Sequence, residues 1–453
     1  MIVKRVPDII TLNNGWSILI DPETVFWILS ETSNIEQAKN QWDTIYTDSL
    51  KSMLKREITS MSNCVAIDMI ELHLTYGCNM NCPYCYIPES YRRNYQKMSY
   101  NQLEEIIDKL SKWINERGGI KRIIFHGGEP LLAKEIFFPI IEKYYKEIEF
   151  GIQTNGTLLT EEDAAFIKKH NVHVSLSLDA PLPEINDKLR YYQNGTGTFA
   201  HVRKTIEMFD DYEWQGVIVT ITKNNVNIID TMAEALYDWG VRSALFNPIS
   251  PSVSESTAFV PSIKELIDNY KKFIDVVIRL NTYQPKGRRL VVDNIESLIL
   301  AIFTSNMRGM YCHMSPCGAG RLSYVITWNG DVYPCSEFVQ FEEFKCGNIF
   351  EDSIETIINS EACKKLRLRN VNKIDTCDNC PYKLICGANC PAAVYGLSRT
   401  LLGKSPYCKF NFEIINYLFE KISEHGIEIA YKLVSESFEE KIKTSKPLVW
   451  VER

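Results

Sequence analysis

Three cysteines stand within eight residues at Cys78-Asn-Met-Asn-Cys82-Pro-Tyr-Cys85, directly after a strand-like run. Thiolates are soft ligands that select zinc or iron–sulfur clusters. A structural zinc takes four protein ligands, and no fourth stands near in the sequence. A cubane cluster held through three irons would leave its fourth iron open for a small chelating molecule, so three thiols can be a complete set. The spacing by itself also fits half of a zinc site. A second cysteine field lies far downstream. Cys317-x12-Gly330-x4-Cys335 is followed by Cys377-x2-Cys380-x5-Cys386-x3-Cys390 and then Cys408, with Cys312 just ahead of the series. Ten of the fourteen cysteines lie beyond residue 311 and none between 86 and 311, a clustering that core cysteines would not show.

The whole chain narrows the use of these thiols. The 453 residues suffice for two or three domains. A net charge of −7 argues against a general nucleic-acid binder. The start MIVKRVPDII lacks a signal-peptide core, and no apolar run has membrane-spanning length, so a cytoplasmic location and no membrane partner are expected. A reducing compartment disfavours disulfides and favours metal binding or redox chemistry.

The elements that must position the cysteines are legible in outline. Residues 1–65 read as a small separate module: DIITL and WSILI flank an Asn13-Asn14-Gly15 turn, Asp21-Pro22 opens a helix through Val25, Phe26, Ile28 and Leu29, and two further helices cover 34–46 and 47–58. A hairpin with three helices is winged-helix-like. Residues 66–250 alternate strand and helix. Ile70, Leu72 and Leu74 carry a strand into Cys78, and a Ser99/Gln102 capping box opens a helix that Gly118-Gly119 ends. KRIIFH, EFGIQT, VHVSLSL, GVIVTIT and SALFNPI then supply five more strands. Six βα units predict an α/β fold with a parallel sheet, doubly wound or curved into a partial barrel, whose site lies at the strands' C-terminal ends. The cysteine loop, HGGEP, QTNGT, SLDAP and TKNN all fall there. A helical connector spans 251–310, the cysteine-rich region 311–410, and a helical tail 411–453. Asn329-Gly330 reads as the turn of a hairpin presenting Cys335.

The Cys-x3-Cys-x-aromatic-Cys motif, with Tyr84 as the aromatic, resembles the signature of radical S-adenosylmethionine (SAM) enzymes. That resemblance implies a partial (β/α)6 barrel, a [4Fe–4S] cluster on Cys78, Cys82 and Cys85, and SAM chelated to the open iron. Gly127-Gly128-Glu129-Pro130 resembles the segment that binds the SAM amino group. Asn155, Ser177 and Arg190 resemble the polar groups around its carboxylate and ribose. A guanidinium such as Arg190 can hold a carboxylate through two hydrogen bonds. Asn155 and Ser177 read equally well as strand-end caps, and His73 and His126 as hydrogen-bonded wall residues. The downstream cysteines resemble the SPASM extension of peptide-modifying radical SAM enzymes. This implies two auxiliary [4Fe–4S] clusters, three clusters in all: one on Cys377, Cys380, Cys386 and Cys408, the other on Cys317, Cys335 and Cys390, with Cys312 as fourth ligand or else an open iron for a substrate thiolate. Cys64, Cys346 and Cys363 have no partners in this scheme and read as buried small hydrophobes. Two zinc ribbons are the rival reading of the region.

An N-terminal module ahead of these domains resembles leader-peptide recognition elements, which add the leader as a strand to a sheet edge. Its bland reading is a structural cap on the barrel. Together the regions are similar to thioether-forming maturases of "six cysteines in forty-five residues" (SCIFF) peptides. The implied reaction uses a 5'-deoxyadenosyl radical to join a cysteine sulfur to an α-carbon, a sactionine crosslink. The implied partners are a cysteine-rich precursor peptide with a leader and a reductant such as flavodoxin or ferredoxin. An anaerobic sulfatase maturase forming formylglycine is the enzymatic rival. That family carries an aspartate base directly after the GxxxxC cysteine, where this chain has Ser336 and then Glu337. A non-catalytic iron–sulfur electron carrier is the rival of another class.

Overall fold

The computed structural model describes residues 7–119, 122–210, 212–284, 287–444 and 449–451. The first six residues of the N-terminal module, Lys121 at the head of KRIIFH, and tail residues 445–448, 452 and 453 lie outside the described residues.

All six strands expected after residue 66 form: β4 (Met69–His73), β5 (Arg122–His126), β6 (Glu149–Thr154), β7 (His173–Ser177), β8 (Gln215–Ile221) and β9 (Ser243–Pro248). They pair in sequence order and all parallel, so their C-terminal ends share one edge. The helices between them supply the crossovers that parallel pairing requires. The Ser99/Gln102 capping box opens the helix Tyr100–Arg117 as the sequence indicates, and this helix buries Leu103, Ile106, Ile107 and Leu110.

The sheet extends beyond those six strands. Short β10 (Val291–Val292) adds parallel to β9. On the other side β11 (Ser323–Thr327) pairs parallel with β4, Ser323 opposite Met69 and Thr327 opposite His73. Next, β12 (Asp331–Tyr333) and β13 (Gly347–Asn348) continue antiparallel. The cysteine-rich region thus enters the barrel sheet itself. The turn between β11 and β12 requires glycine: Gly330 has φ +87°, and a Cβ there would lie 2.4 Å from the Phe350 ring.

The N-terminal module differs from expectation at one element. Strands β1 (Asp8–Thr11) and β2 (Trp16–Ile20) form the hairpin, and helices cover Ile35–Ile45 and Asp48–Asn63. Val25, Phe26, Ile28 and Leu29 do not form a helix. Asp21 Oδ1 accepts from Glu23 N and the Asp21 carbonyl from Thr24 and Val25 N, a single turn that Val25 ends at φ +54°. Trp27–Glu31 then runs as β3, antiparallel to β2. Four consecutive residues of it are buried, so the stretch is apolar on both faces and shows no strand alternation. The tail also departs from an all-helical reading, because β14 (Val449–Val451) pairs parallel with β3. No helix among the described residues is long and apolar enough to cross a membrane.

Candidate functional site: a thiol-lined cavity at the strand ends

The cysteine loop leaves β4 through Thr75, whose Oγ1 accepts from Gly77 N at 3.0 Å. Arg92, nearly buried, pins the loop: Nε donates to the Ile87 carbonyl at 3.0 Å and Nη1 to Asn81 Oδ1 at 3.1 Å, while its own carbonyl accepts from Cys78 N. The next strand end runs hard against this loop. Gly128 N donates to Thr75 O and Glu129 N to Gly77 O. A Cβ on Gly128 would lie 2.3 Å from the carbonyl oxygens of Tyr76 and Gly77. The glycine pair is therefore required by backbone proximity alone.

Above these ends lies a cavity of about 420 Å³ lined by Cys78, Cys82 and Cys85. Tyr84, Gly127, Gly128, Asn155, Ser177 and Arg190 also face it, so the structure brings together all the residues assigned to the nucleotide except Glu129. The Glu129 carboxylate instead accepts from Thr154 Oγ1 at 2.6 Å, Asn155 N at 2.9 Å and Leu131 N at 3.1 Å, joining the β5 and β6 ends. Burial raises it to about 7. Arg190 likewise has a protein partner, its Nε lying 2.9 Å from Asp179 Oδ2. Tyr84 donates its hydroxyl to the same oxygen, and Asp179 Oδ1 accepts from Thr220 N at 2.9 Å. Asp179 and Arg92 were not singled out from sequence. The SLDAP motif marks the first, whereas nothing local marks the second.

Burial pushes the three thiols up, Cys82 to about 11, with Arg190 opposing the rise there. Buried thiols of this kind become good ligands only when a cationic metal stabilises the thiolate. All fourteen cysteines are free. No group of three or more His, Cys, Asp or Glu among the described residues is arranged for a single metal ion. A thiol-only donor set beside a cavity with a carboxylate-binding cation fits an iron–sulfur cluster with a small chelating ligand.

The downstream cysteines form two neighbourhoods. Cys312 is exposed, with its side chain on the cavity; the neighbouring Cys317 thiol raises it, and the thiols of Cys390 and Cys335 add to the rise. Cys312 thereby joins the set of Cys317, Cys335 and Cys390. Burial raises Cys377 and Cys386 to about 11, with Cys380 and Cys408 acting on the first and Cys380 and Cys377 on the second. Cys312 and Cys390 line the same cavity as Cys78. Cys346 and Cys363 sit apart, buried, with their Sγ atoms 3.4 Å from one another. Cys64 is exposed.

The cavity wall is polar on one side. Behind that wall and not lining the cavity, Ser336 donates to Glu71 Oε2 and lies 3.2 Å from His73 Nε2. His126 lines the cavity 3.4 Å from the Tyr86 hydroxyl, and burial holds it down at about 4, neutral at pH 7. Glu337 faces the cavity, its Oε2 accepting from Ser252 Oγ at 2.8 Å, and burial raises it.

The profile of the Radical SAM superfamily matches residues 72–236, and that of the SPASM iron–sulfur cluster-binding domain matches residues 317–381. An uncharacterized protein of Archaeoglobus fulgidus is 34% identical over 420 residues, 93% of this chain and 95% of its own. A cysteine-type anaerobic sulfatase-maturating enzyme of Clostridium perfringens is 25% identical over 76% of this chain and 94% of its own. The subtilosin biosynthesis protein AlbA of Bacillus subtilis is 29% identical over 69% of this chain and 65% of its own. The solved structure of anSMEcpe with bound AdoMet shares the fold at TM-score 0.69 and 22% identity, covering 80% of this chain and 99% of that one. The chain belongs to the radical SAM superfamily, as a member with a C-terminal SPASM domain.

Proposed function

We propose that this protein is a radical SAM peptide maturase that joins a cysteine sulfur to an α-carbon within a cysteine-rich precursor peptide, forming a sactionine thioether. The observation that carries the reading is the shared cavity: thiols of the first field and Cys312 and Cys390 of the second line one and the same cavity. Cys78, Cys82 and Cys85 would hold one cluster. Cys312, Cys317, Cys335 and Cys390 would hold a second, and Cys377, Cys380, Cys386 and Cys408 a third. When bound, the first cluster and SAM supply a 5'-deoxyadenosyl radical able to abstract hydrogen from an unactivated carbon. The protein's own groups do the rest. Arg190, fixed by Asp179, orients the SAM carboxylate, and Gly127 and Gly128 give its amino group access to backbone. Glu337, facing the cavity, takes the proton of the substrate thiol. A leader would engage the N-terminal module by strand addition at β1, which pairs among the described residues only with β2 and so offers its other edge, and a small flavodoxin- or ferredoxin-type reductant would supply the electron.

A formylglycine-forming reading keeps one specific support besides the Clostridium relative. The carboxyl group expected just after the GxxxxC cysteine is present in the cavity as Glu337, one residue later, while Ser336 is engaged by Glu71 and His73. Anaerobic reconstitution with reductant, SAM and a cysteine-rich precursor separates the two. The thioether reading expects 5'-deoxyadenosine and a peptide two hydrogens lighter with fewer alkylatable thiols and all its sulfur. A product labelled by a carbonyl reagent overturns it in favour of formylglycine.

A further inference from the structure

Arg369 follows the helix Glu361–Leu368 and is 3% exposed. A guanidinium at that depth needs its hydrogen bonds and its charge answered. The hydrogen bonds are carbonyls: Nη2 donates to Ala388 O at 2.7 Å and Nε to Leu401 O at 2.7 Å. Neither carries a charge. Among the described residues Arg369 forms no ion pair with a carboxylate, so its counter-charge must come from elsewhere.

The position of Ala388 shows where. It is the middle residue of Cys386-Gly-Ala-Asn-Cys390, the short link whose two thiols belong to different four-cysteine neighbourhoods. Ala388 has φ +54° and Cys390 φ +38°, so the link is bent through a conformation that side chains resist. The guanidinium holds the carbonyl at the centre of that bend. Burial weakens its charge, and the groups that oppose this are Cys317, Cys390, Cys377 and Cys386, two from each neighbourhood. Arg321, by comparison, is equally buried but donates to the Cys317 and Cys64 carbonyls and serves one neighbourhood only.

We propose that Arg369 is a shared positioning residue for the two auxiliary iron–sulfur clusters, its single buried charge raising both reduction potentials while its bond to Ala388 fixes the link between them. The inference rests on the reading that both neighbourhoods carry clusters. Its physical basis is that the reduced cluster is the more negative state, so a nearby cation in a low-dielectric interior favours reduction. A higher potential makes each auxiliary cluster the better acceptor of an electron released by substrate oxidation.

The test uses the full-length holoenzyme with iron and sulfide quantified, and reads cluster midpoints by spectroscopically monitored redox titration. Arg369→Met keeps bulk and removes charge. It should lower the reduced-to-oxidised ratio of both auxiliary signals about tenfold at a fixed potential, a downward shift of ~59 mV for one electron. Arg369→Lys should restore most of that, Arg321→Met should move one auxiliary signal, and the SAM-cluster midpoint should stay in place throughout. Full iron with both auxiliary midpoints unmoved in Arg369→Met, or with only one moved, overturns the proposal. Should that variant lose iron, Arg369→Gln and Arg369→Lys matched for iron carry the same comparison, and any pattern other than a lowered pair with Gln and a retained pair with Lys overturns it. Wild-type iron content short of three clusters marks failure of the cluster reading instead.

Discussion

Glu129 and Asp179 are buried carboxylates at strand ends, and both direct their acceptors to the protein. Glu129 orders the Thr154–Asn155 turn, and Asp179 fixes Arg190 and Tyr84. Sequence spacing identifies residue types near a site but cannot say which of two neighbouring polar groups points in, because the choice depends on strand ends far apart in the chain. The same limit applies to Cys346 and Cys363, which pair with each other across 17 positions. Cys346→Ala and Cys363→Ala should each retain the full iron complement and cost about 1 kcal/mol of stability; loss of one cluster's iron in either variant reassigns that thiol as a ligand. A cleaner electrostatic prediction concerns His173, at the β7 end remote from the thiols. Burial, with Arg122 adding to it, lowers this histidine to about 4. As pH falls the unfolded chain protonates first, so the stability tied to the neutral ring is complete above about 6.5 and is lost progressively down to about 4, a loss of about 3 kcal/mol in all and about 2 kcal/mol by pH 5. Denaturant titrations at pH 7.5 and 5 should therefore show a smaller difference for His173→Gln than for the parent. An equal difference in both assigns the acid sensitivity elsewhere.

At the scale of elements, the six parallel strands and the β11–β12 hairpin were legible because each has a local cause: alternation, capping boxes, an Asn-Gly turn. The pairing of β11 with β4 was not, since partners some 250 residues apart leave no periodic trace. Nor was β3, whose apolar residues mimic a helical face until Val25 enters the left-handed region. The cysteine loop and the glycine pair were readable as motifs, but the reason for the pair is visible only once two strand ends are side by side. Gly128→Ala forces a methyl into the Tyr76 and Gly77 carbonyls. It should cost about 1–3 kcal/mol and cut retention of the first cluster's iron several-fold, measured after anaerobic gel filtration. Gly216→Ala, whose added carbon meets only ordinary contacts at 3.6 Å or more, is the matched control. If the two variants retain iron equally, the close approach is not what shapes the loop.

Across the whole molecule, the N-terminal module and the catalytic domains share one hydrophobic core. Trp27 is fully buried, its ring 5.8 Å from Phe303 and 5.0 Å from Phe419, and its Nε1 donates to the Ile302 carbonyl at 2.8 Å. Lys383, nearly buried at the start of the short helix that ends at Cys386, pairs with Glu23 at 2.5 Å, and Asn13 donates to Glu420. Removing residues 1–65 would uncover that apolar surface, so a deletion confounds peptide recognition with stability. Point changes separate them. Trp27→Ala should cost about 3–5 kcal/mol and loosen the module from the core, read as a lower denaturation midpoint of the whole enzyme. Ile9→Glu, on the exposed edge strand β1 where Ile9 is 43% exposed, should leave the midpoint and uncoupled SAM cleavage within error of the parent while weakening leader-dependent turnover at least tenfold. Unchanged turnover in Ile9→Glu with an intact leader excludes that edge as the recognition surface and leaves the module as a cap that Trp27 holds in place.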